Sequence, residues 1–453
     1  MKKNLATYLA MFALLFLGAS CVHGDEEEVV QSPYALITTF SLNNITSSYH
    51  DFTSTGEDTV VVKTIATAAY PFTIDQTTGA IYNCDSLPFG TDVSKLVVNL
   101  GVMGVASIYV DSTDSYERFL STDSIDFTKP RKLYIYSADA QYCKEYTVTV
   151  NVHTVNPDLL QWNEYVAPNE VSATCAVELN GDLCLFGTDN AGVQVVVTTP
   201  VAGEPEWISI PVNGLPAAPA CVQRFGGLLY AVVAGDLYVS ADAVNWTVSC
   251  QGKGFVSIVG VSDEANEMWA ATATELLCSV DGASFEVAGV LPESFPLYGL
   301  SLASYPLSHN KNIIRNMLVG YDNQTMTGAP VVWSKLSNEQ NWVRYNNAGN
   351  IYGCPSLKNL SVLRYDNFLY AFGNAGSAAG EDVGAFDTFF ISKDNGIVWK
   401  PSGSFYLRFP ETLKSNEAPF VSLVDSNNFI WIITAGENAT VWKGIINRLG
   451  FKK

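Results

Sequence analysis

Apolar residues in this chain come in short runs separated by Gly, Pro, Asn and Asp, a pattern typical of β-strands joined by turns. Between residues 34 and 153 the runs alternate apolar and polar positions and are rich in β-branched and aromatic residues. They include DTVVVKTIA, SKLVVNLGV, ASIYVDS, RKLYIYSA and KEYTVTVNV. No helical period of apolar residues stands out, so we predict a β-sandwich in this region.

Residues 159–453 contain a repeat in which a turn leads into an apolar, aromatic strand. Each copy is preceded by another apolar strand and followed by a third one. Six copies of this three-strand unit predict a β-propeller with six blades. LLQWNEYV, from Leu159 to Val166, is a lone outer-strand sequence that we expect to pair with the last unit and close the ring. The six copies are NGDLCLFGT from Asn180, GGLLYAVVA from Gly226, ANEMWAATA from Ala265, KNIIRNMLVGY from Lys311, DNFLYAFGN from Asp366 and NNFIWIITA from Asn427.

Three turns after third strands carry a further signature. SKDNGIVW matches the Asp-box, Ser-x-Asp-x-Gly-x-x-Trp, and SADAVNW and SVDGASF are relatives one residue shorter. In such a turn the Asp side chain accepts backbone N–H groups, and the aromatic residue packs between strands. We therefore assign a structural role to Ser240, Asp242, Trp246, Ser279, Asp281, Phe285, Ser392, Asp394, Gly396 and Trp399.

The N-terminus has the features of a secretory signal. Lys2 and Lys3 precede an apolar run that is too short to span a membrane, and small residues follow it. The ending LGASC resembles the bacterial lipobox, although Gly18 stands where Leu is usual, and this resemblance implies lipidation of Cys21. Asp25 to Glu28 resemble the acidic signal that exports lipoproteins to the outer cell face. We expect a lipid-anchored protein of the outer membrane that faces the cell exterior.

The stretch DSIDFTKPRKLYIYSADAQYCKEYTVTVNV, from Asp123 to Val152, resembles the closing half of immunoglobulin-like domains at the front of many surface lipoproteins. The whole chain resembles an uncharacterised two-domain family of such lipoproteins, with a spacer domain before a propeller. The expected organisation is a signal peptide at 1–20, a lipidated acidic tether at 21–33, an immunoglobulin-like sandwich at 34–153, a linker at 154–158 and a six-bladed propeller at 159–453.

Composition limits the function. The chain has 453 residues, is 48% hydrophobic and 15% charged, and carries a formal charge of −20. Nucleic acid is therefore not an expected partner, because phosphate binding needs a basic surface. The eight cysteines after Cys21 have no C-x-x-C spacing, and we favour buried free thiols. An exported chain can form disulfides, but no pair is assigned. No metal or other cofactor is predicted.

The sequence offers few candidates for a catalytic site. Asp-box propellers include sialidases, which use an arginine triad. LRFP, from Leu407 to Pro410, is similar to the sialidase Arg-Ile-Pro element, but it lies near the C-terminus, whereas the family has that element near the start. One histidine, His309, occurs in the propeller, which is too few for a multi-histidine metal site. A glycosidase that uses Glu381, Asp382 or Asp387 stays open, because acids are plentiful. The propeller arginines are Arg224, Arg315, Arg344, Arg364, Arg408 and Arg448.

The interpretation that we favour is a non-enzymatic binding protein. Insertions around Gly320–Pro330 and Asn374–Asp387 are the candidate wall of a ligand site at one mouth of the propeller. Tyr321, Asn323, Tyr406 and Arg408 form an aromatic and amide set that suits sugars or peptides. Two alternatives stay open: a glycoside hydrolase or lyase on a divergent propeller, and a scaffold that binds other envelope proteins.

Overall fold

The strands expected from the apolar pattern are present in the computed structural model of the chain, which describes residues 33–53, 57–110, 115–168, 171–346, 349–436 and 439–450. The chain divides into two compact units at Thr154/Val155, with residues 50–59 grouped in the second unit. No helix in the described ranges is long and apolar enough to cross a membrane.

The first unit contains eleven strands and one 3₁₀ turn, Thr67–Ala69, among its described residues. A three-stranded sheet has the order β1-β6-β9, and a six-stranded sheet has the order β4-β5-β11-β10-β7-β8; β2 and β3 pair separately. The strands are β1 (Leu36–Leu42), β2 (Ile45–Phe52), β3 (Asp58–Ile65), β4 (Phe72–Asp75), β5 (Ala80–Asn83), β6 (Leu96–Met103), β7 (Val105–Val110), β8 (Ser115–Arg118), β9 (Ser124–Ile125), β10 (Arg131–Tyr136) and β11 (Cys143–Thr149).

The core of the first unit lies between its sheets. Leu133 and Ile135 alternate along β10 with more exposed neighbours and are fully buried. Tyr146 on β11 is buried as well, and its hydroxyl donates to Gln76 Oε1 (2.6 Å) and accepts the Ile37 backbone N–H (3.2 Å). This hydroxyl therefore ties β1 to the opposite sheet through hydrogen bonds inside the core.

The second unit begins with β12 (Leu160–Val166) and continues as six four-stranded antiparallel sheets. The first three sheets are β13 (Val171–Leu179), β14 (Asp182–Asp189), β15 (Gln194–Pro200) and β16 (Ile208–Pro211); β17 (Val222–Phe225), β18 (Leu228–Val233), β19 (Asp236–Ser240) and β20 (Thr247–Cys250); and β21 (Ser257–Ser262), β22 (Glu267–Ala271), β23 (Glu275–Ser279) and β24 (Glu286–Val290).

The remaining strands include a small additional sheet. The fourth sheet is β25 (Tyr298–Pro306), β26 (Ile314–Tyr321), β27 (Val331–Leu336) and β28 (Val343–Arg344). The fifth joins β30 (Ser361–Tyr365) and β31 (Phe368–Phe372) to β34 (Phe390–Ser392) and β35 (Lys400–Pro401). A separate three-stranded sheet contains β29 (Ser356–Leu357), β32 (Gly376–Ala378) and β33 (Glu381–Val383). The sixth sheet is β36 (Phe420–Val424), β37 (Ile430–Thr434) and β38 (Thr440–Ile446) with β12 at its edge, and a helical turn, α1 (Asn447–Gly450), follows.

Contacts between the six sheets return to their starting point. The first strand of each sheet contacts the first strand of the next, in the order β13, β17, β21, β25, β30, β36 and back to β13. Six apolar clusters of described residues each join two successive sheets, and one of them packs Trp431 and Ile433 of the sixth sheet against Leu183 and Leu185 of the first. Second strands are buried on both faces, which is why they read as continuous apolar runs.

The two ends of each sheet carry different connections. Because the strands are antiparallel, the turns after the first and third strands lie at one end, and the turns after the second strands lie at the other. The connections after the fourth strands run on to the next sheet. Val362 N donates to Ser301 Oγ and Arg364 Nη1 donates to Ser304 O, so β25 and β30 run in the same direction. We call the first end the Asp-turn edge and the second end the rim edge.

Candidate binding rim

Three turns at the Asp-turn edge share one hydrogen-bond pattern; we call Ser240–Trp246, Ser279–Phe285 and Ser392–Trp399 the Asp turns. Asp242 Oδ1 accepts the N–H groups of Val244 (3.0 Å) and Asn245 (2.8 Å). Asp281 Oδ1 accepts two N–H groups in the same way, and Asp394 Oδ1 accepts that of Val398. The buried serines Ser240, Ser279 and Ser392 each donate to the aspartate two residues on.

Electrostatics and packing explain the residue types in these turns. Hydrogen bonds from the Asn245 backbone and side chain lower the pKa of Asp242 to about 2, and backbone hydrogen bonds from Ser284 and Ala283 lower the pKa of Asp281 to about 2. In the third turn Gly396 has φ +86°, and its carbonyl accepts the Trp399 Nε1–H (3.0 Å). Each of these carboxylates therefore has a structural role in its own turn.

Each Asp turn also holds the chain that arrives from the preceding sheet. Asn213, which follows β16, donates its N–H to Val244 O and accepts that of Trp246, both at 2.9 Å. Ser249 Oγ on β20 donates to Gly282 O (2.8 Å). Trp399 N donates to Tyr352 O (2.8 Å), on the connection from the fourth sheet. The Asp turns therefore fasten neighbouring sheets together.

The rim edge carries the long insertions. We call residues 321–330, 356–357, 373–389 and 402–419 the rim. Ser356 Oγ donates to Gly328 O (2.5 Å), which joins β29 to the insertion of the fourth sheet. Asn374, fully buried, donates its side-chain N–H groups to Asn416 O (2.8 Å) and Ala418 O (3.2 Å). Backbone and side-chain bonds thus join segments from three successive sheets.

Aromatic side chains support the rim from within. Phe386 of the rim lies 4.8 Å from Phe420 and 5.5 Å from Phe409 between ring centroids, and Phe389 stacks on Phe409 at 4.0 Å. Phe372 contacts all four of these rings. Packed aromatic rings of this kind stabilise a fixed geometry beyond the area that they bury. The long connections therefore rest on an ordered floor.

The two predicted ligand residues on β26 and its insertion differ in exposure. Tyr321 is 3% exposed, its hydroxyl donates to Leu357 O (3.1 Å), and burial raises its pKa to about 12. This corrects the expectation of a ligand-contacting tyrosine, because the side chain supports the rim from below. Asn323 is half-buried, and its amide bonds Thr327 O and N within its own loop.

The other predicted pair lies in the connection before the sixth sheet. Backbone carbonyls hold this segment: Tyr406 O accepts the Leu160 N–H (2.9 Å) and Arg408 O accepts the Trp162 Nε1–H (2.9 Å). The Arg408 guanidinium lies 3.9 Å above the Phe405 ring. In the described part of the chain, no hydrogen bond or ring contact joins Tyr406 or Arg408 to Tyr321 or Asn323, so the structure does not bring the four into one contact group.

The candidate catalytic groups are all exposed. Glu381 and Asp382 are exposed on β33, Asp387 is exposed further along the rim, and His309 is exposed between β25 and β26. Among the described residues no group of three or more His, Cys, Asp or Glu side chains could hold a metal ion.

The eight cysteines after Cys21 are unpaired. Cys84 and Cys143 are exposed, in contrast to the expectation of buried thiols. Burial raises the pKa of four others: Cys175, Cys184, Cys221 and Cys354.

Two family models match this chain. Residues 156–453 match the family model described as the DUF6242 beta propeller domain, and residues 40–150 match that of the DUF6242 N-terminal domain, a domain of unknown function. The chain belongs to the DUF6242 family. Its second unit is accordingly a β-propeller domain within an all-β protein. No curated protein matches this DUF6242 chain.

Solved structures resemble the DUF6242 chain only distantly. A mutant Aleuria aurantia lectin in complex with alpha-methyl-L-fucoside is 9% identical, with a TM-score of 0.34 over 60% of this chain and 92% of the lectin. Penicillium chrysogenum alpha-L-arabinanase with arabinobiose is 14% identical, with a TM-score of 0.34 over 62% and 94% of the two chains. A duf4221 family member from Bacteroides vulgatus is 11% identical, with a TM-score of 0.34 over 64% and 98%. Likenesses at these scores carry no argument about function.

Sequence reasoning did not identify the residues that hold the DUF6242 rim together. Ser356 carries no sequence signal, because its partner Gly328 is 28 residues away, in the insertion between β26 and β27. Asn374 stands in the Gly/Ala-rich segment that we predicted as an insertion, and only its buried position shows that it bridges two connections. Loop residues that act through distant backbone atoms leave no periodic pattern.

Proposed function

We propose that this DUF6242 protein is a lipid-anchored, non-enzymatic binding protein of the outer cell surface, and that its propeller holds neutral glycans at the rim. In this proposal each of the six sheets is one blade, and the pairing of β12 with β38 closes the ring. The first unit acts as an immunoglobulin-like spacer, and Cys21 carries the lipid. Cys21 and the acidic residues Asp25 to Glu28 lie outside the described residues.

The binding proposal rests on one observation: hydrogen bonds and packed aromatic rings hold the rim segments in a fixed arrangement. Ser356, Asn374 and the phenylalanine floor hold insertions from three sheets in one arrangement. A surface that is already ordered loses less conformational entropy on binding than mobile loops would. Long loops placed on a rigid scaffold are where binding residues concentrate in proteins.

The charge of the rim indicates which class of ligand it can bind. The rim contains six acids and two bases: Asp322, Glu381, Asp382, Asp387, Glu411 and Glu417 against Arg408 and Lys414. An acidic surface repels anions and tolerates neutral or cationic ligands. Exposed apolar atoms such as those of Met326 (47% exposed) suit the ring faces of sugars.

The test is a glycan array probed with the chain purified without its first 21 residues, with product analysis of every retained glycan. Specific retention of intact neutral glycans supports the proposal. Shortened products would replace it with the hydrolase or lyase alternative, and no retention across a broad array would refute glycan binding and favour an envelope protein as partner.

A pair of matched variants locates the site. Met326→Asp adds one negative charge to the rim, and Val287→Asp adds the same charge on the exposed outer strand β24, where Val287 is 57% exposed. We expect Met326→Asp to weaken retention and Val287→Asp to leave it unchanged. Equal effects of the two variants would place the ligand elsewhere.

A further inference from the structure

A small pocket opens at the Asp-turn edge, between the fourth and fifth sheets and at the end of the sheets opposite the rim. Its volume is about 20 Å³, and its lining includes Tyr305, Arg364, Asn367, Phe368, Lys393 and Asn395. No acidic residue lines it, although the chain as a whole carries a formal charge of −20. A cationic lining on such an acidic protein is unexpected from composition alone.

Arg364 is a half-buried cation that lacks a contacting acid. Its guanidinium lies 4.0 Å above the Tyr305 ring, and Nη1 donates to Ser304 O (3.3 Å). Burial lowers its pKa, and interactions with Tyr305 and Glu264 partly oppose that effect. Within the described part of the chain no carboxylate lies within ion-pair distance of Arg364. Burial of an arginine without a paired anion is costly, so the free N–H groups of this guanidinium favour an anion from outside.

The other polar groups of the pocket are also donors. Lys393 is exposed, with its ammonium 5.5 Å from the Phe368 ring centre. Asn395 Oδ1 accepts the Tyr305 hydroxyl (2.8 Å), which leaves the Asn395 amide N–H groups available. The neighbouring Asp394 accepts Ser392 Oγ–H and Val398 N–H at its Oδ1 atom. Donors from β30 and from the third Asp turn therefore line the same pocket.

We propose that this pocket binds a sulfate or carboxylate group carried by a larger ligand. Arginine binds such oxyanions through two parallel N–H groups, and lysine adds a second positive charge. A space of about 20 Å³ admits roughly one water-sized group, so one oxygen of the anion enters and the rest of the ligand stays outside. The site uses none of the rim residues and does not depend on the proposed glycan binding there.

Isothermal titration calorimetry at constant ionic strength tests the site with four probes: inorganic sulfate, N-acetylglucosamine 6-sulfate, glucuronate and glucose. We expect saturable binding of the anions and none of glucose at this site. Tighter binding of the sulfated sugar than of inorganic sulfate would identify the larger ligand, and equal affinity would identify the free anion. Absence of saturable binding by every anion would overturn the proposal.

Three variants make the test specific. Arg364→Gln and Lys393→Gln each remove one charge from the pocket, and we expect each to weaken anion binding about tenfold, the scale of one lost charge-assisted hydrogen bond. Arg344→Gln removes the same charge from exposed β28, outside the pocket, and should change nothing. Lys393 is exposed, so its variant keeps the test decisive if Arg364→Gln loses stability. Unchanged affinity in Lys393→Gln, or an equal loss in Arg344→Gln, would refute the site.

Discussion

Gly444 lies where β38 pairs with β12, and a single methyl group added there probes that pairing. Gly444 is the register partner of Trp162. A Cβ atom at position 444 would stand 2.4 Å from Cε3 of Trp162 and 2.6 Å from two other ring atoms. The indole cannot move freely, because its Nε1–H bonds Arg408 O and its ring stacks on Phe409 at 6.1 Å. Gly444→Ala must therefore displace Trp162 or separate β12 from β38.

The expected change in the free energy of unfolding follows from two opposing effects. Overpacking of a well-packed site costs about 1–3 kcal/mol, and loss of the Trp162 hydrogen bond adds about 1 kcal/mol. Replacement of Gly by Ala in a compatible conformation returns about 0.4–1 kcal/mol through the unfolded chain. We expect Gly444→Ala to lower the free energy of unfolding by about 1–3 kcal/mol. In a Trp162→Ala background the clash is absent, so the same change should be neutral or slightly stabilising.

Urea titration of the four proteins of this double-mutant cycle, followed by circular dichroism, measures the coupling. Gly289→Ala on outer strand β24 is the matched control, because no atom lies within 4 Å of its added Cβ. We expect the control to shift stability by less than about 0.5 kcal/mol. If Gly444→Ala destabilises both backgrounds equally, or behaves as Gly289→Ala does, the packing of β12 on β38 is not what we describe.

Three other changes give separate tests. Tyr321→Phe leaves Leu357 O without its donor, so it should cost about 1–2 kcal/mol in urea titration, and an unchanged midpoint would contradict the buried bond. Asp281 has a folded pKa of about 2 against an ordinary 3.8, so its stabilisation is complete above 3.8 and disappears as the pH falls toward 2. The thermal midpoint of Asp281→Asn should therefore lie below that of the wild type at pH 6 and converge with it near pH 2; a constant gap would refute this assignment. Cys21→Ala should abolish metabolic labelling with palmitate and release the protein from the membrane fraction, whereas retained label would place the lipid elsewhere.

The second strands of the propeller were predictable because each is buried on both faces. NGDLCLFGT, MWAATA and NNFIWIITA fall on β14, β22 and β37, where neighbouring sheets cover both sides and select continuous apolar sequence. The Asp turns were visible for a related reason, since a turn that uses Ser, Asp and an aromatic residue at fixed offsets leaves a local pattern. Strands that are buried on both faces and turns that need fixed residue types therefore leave patterns that can be recognised in the sequence.

The rim was only partly predictable. Its insertions could be located, but the small sheet of β29, β32 and β33 consists of strands of two or three residues, too short for any period. The burial of Tyr321 arises because β29, more than 30 residues later, covers it. The Arg364 pocket likewise joins β30 to an Asp turn and to Tyr305 of another sheet. Such sites depend on tertiary contacts that single-strand patterns do not encode.

Hydrogen–deuterium exchange of the chain, with and without a neutral glycan retained on the array, locates the binding surface. We expect slower exchange in peptides that cover 321–330, 373–389 and 402–419, and unchanged exchange at the Asp turns. Protection confined to the Asp-turn edge or to the first unit, with the rim unaffected, would contradict the assignment of the rim as the binding surface.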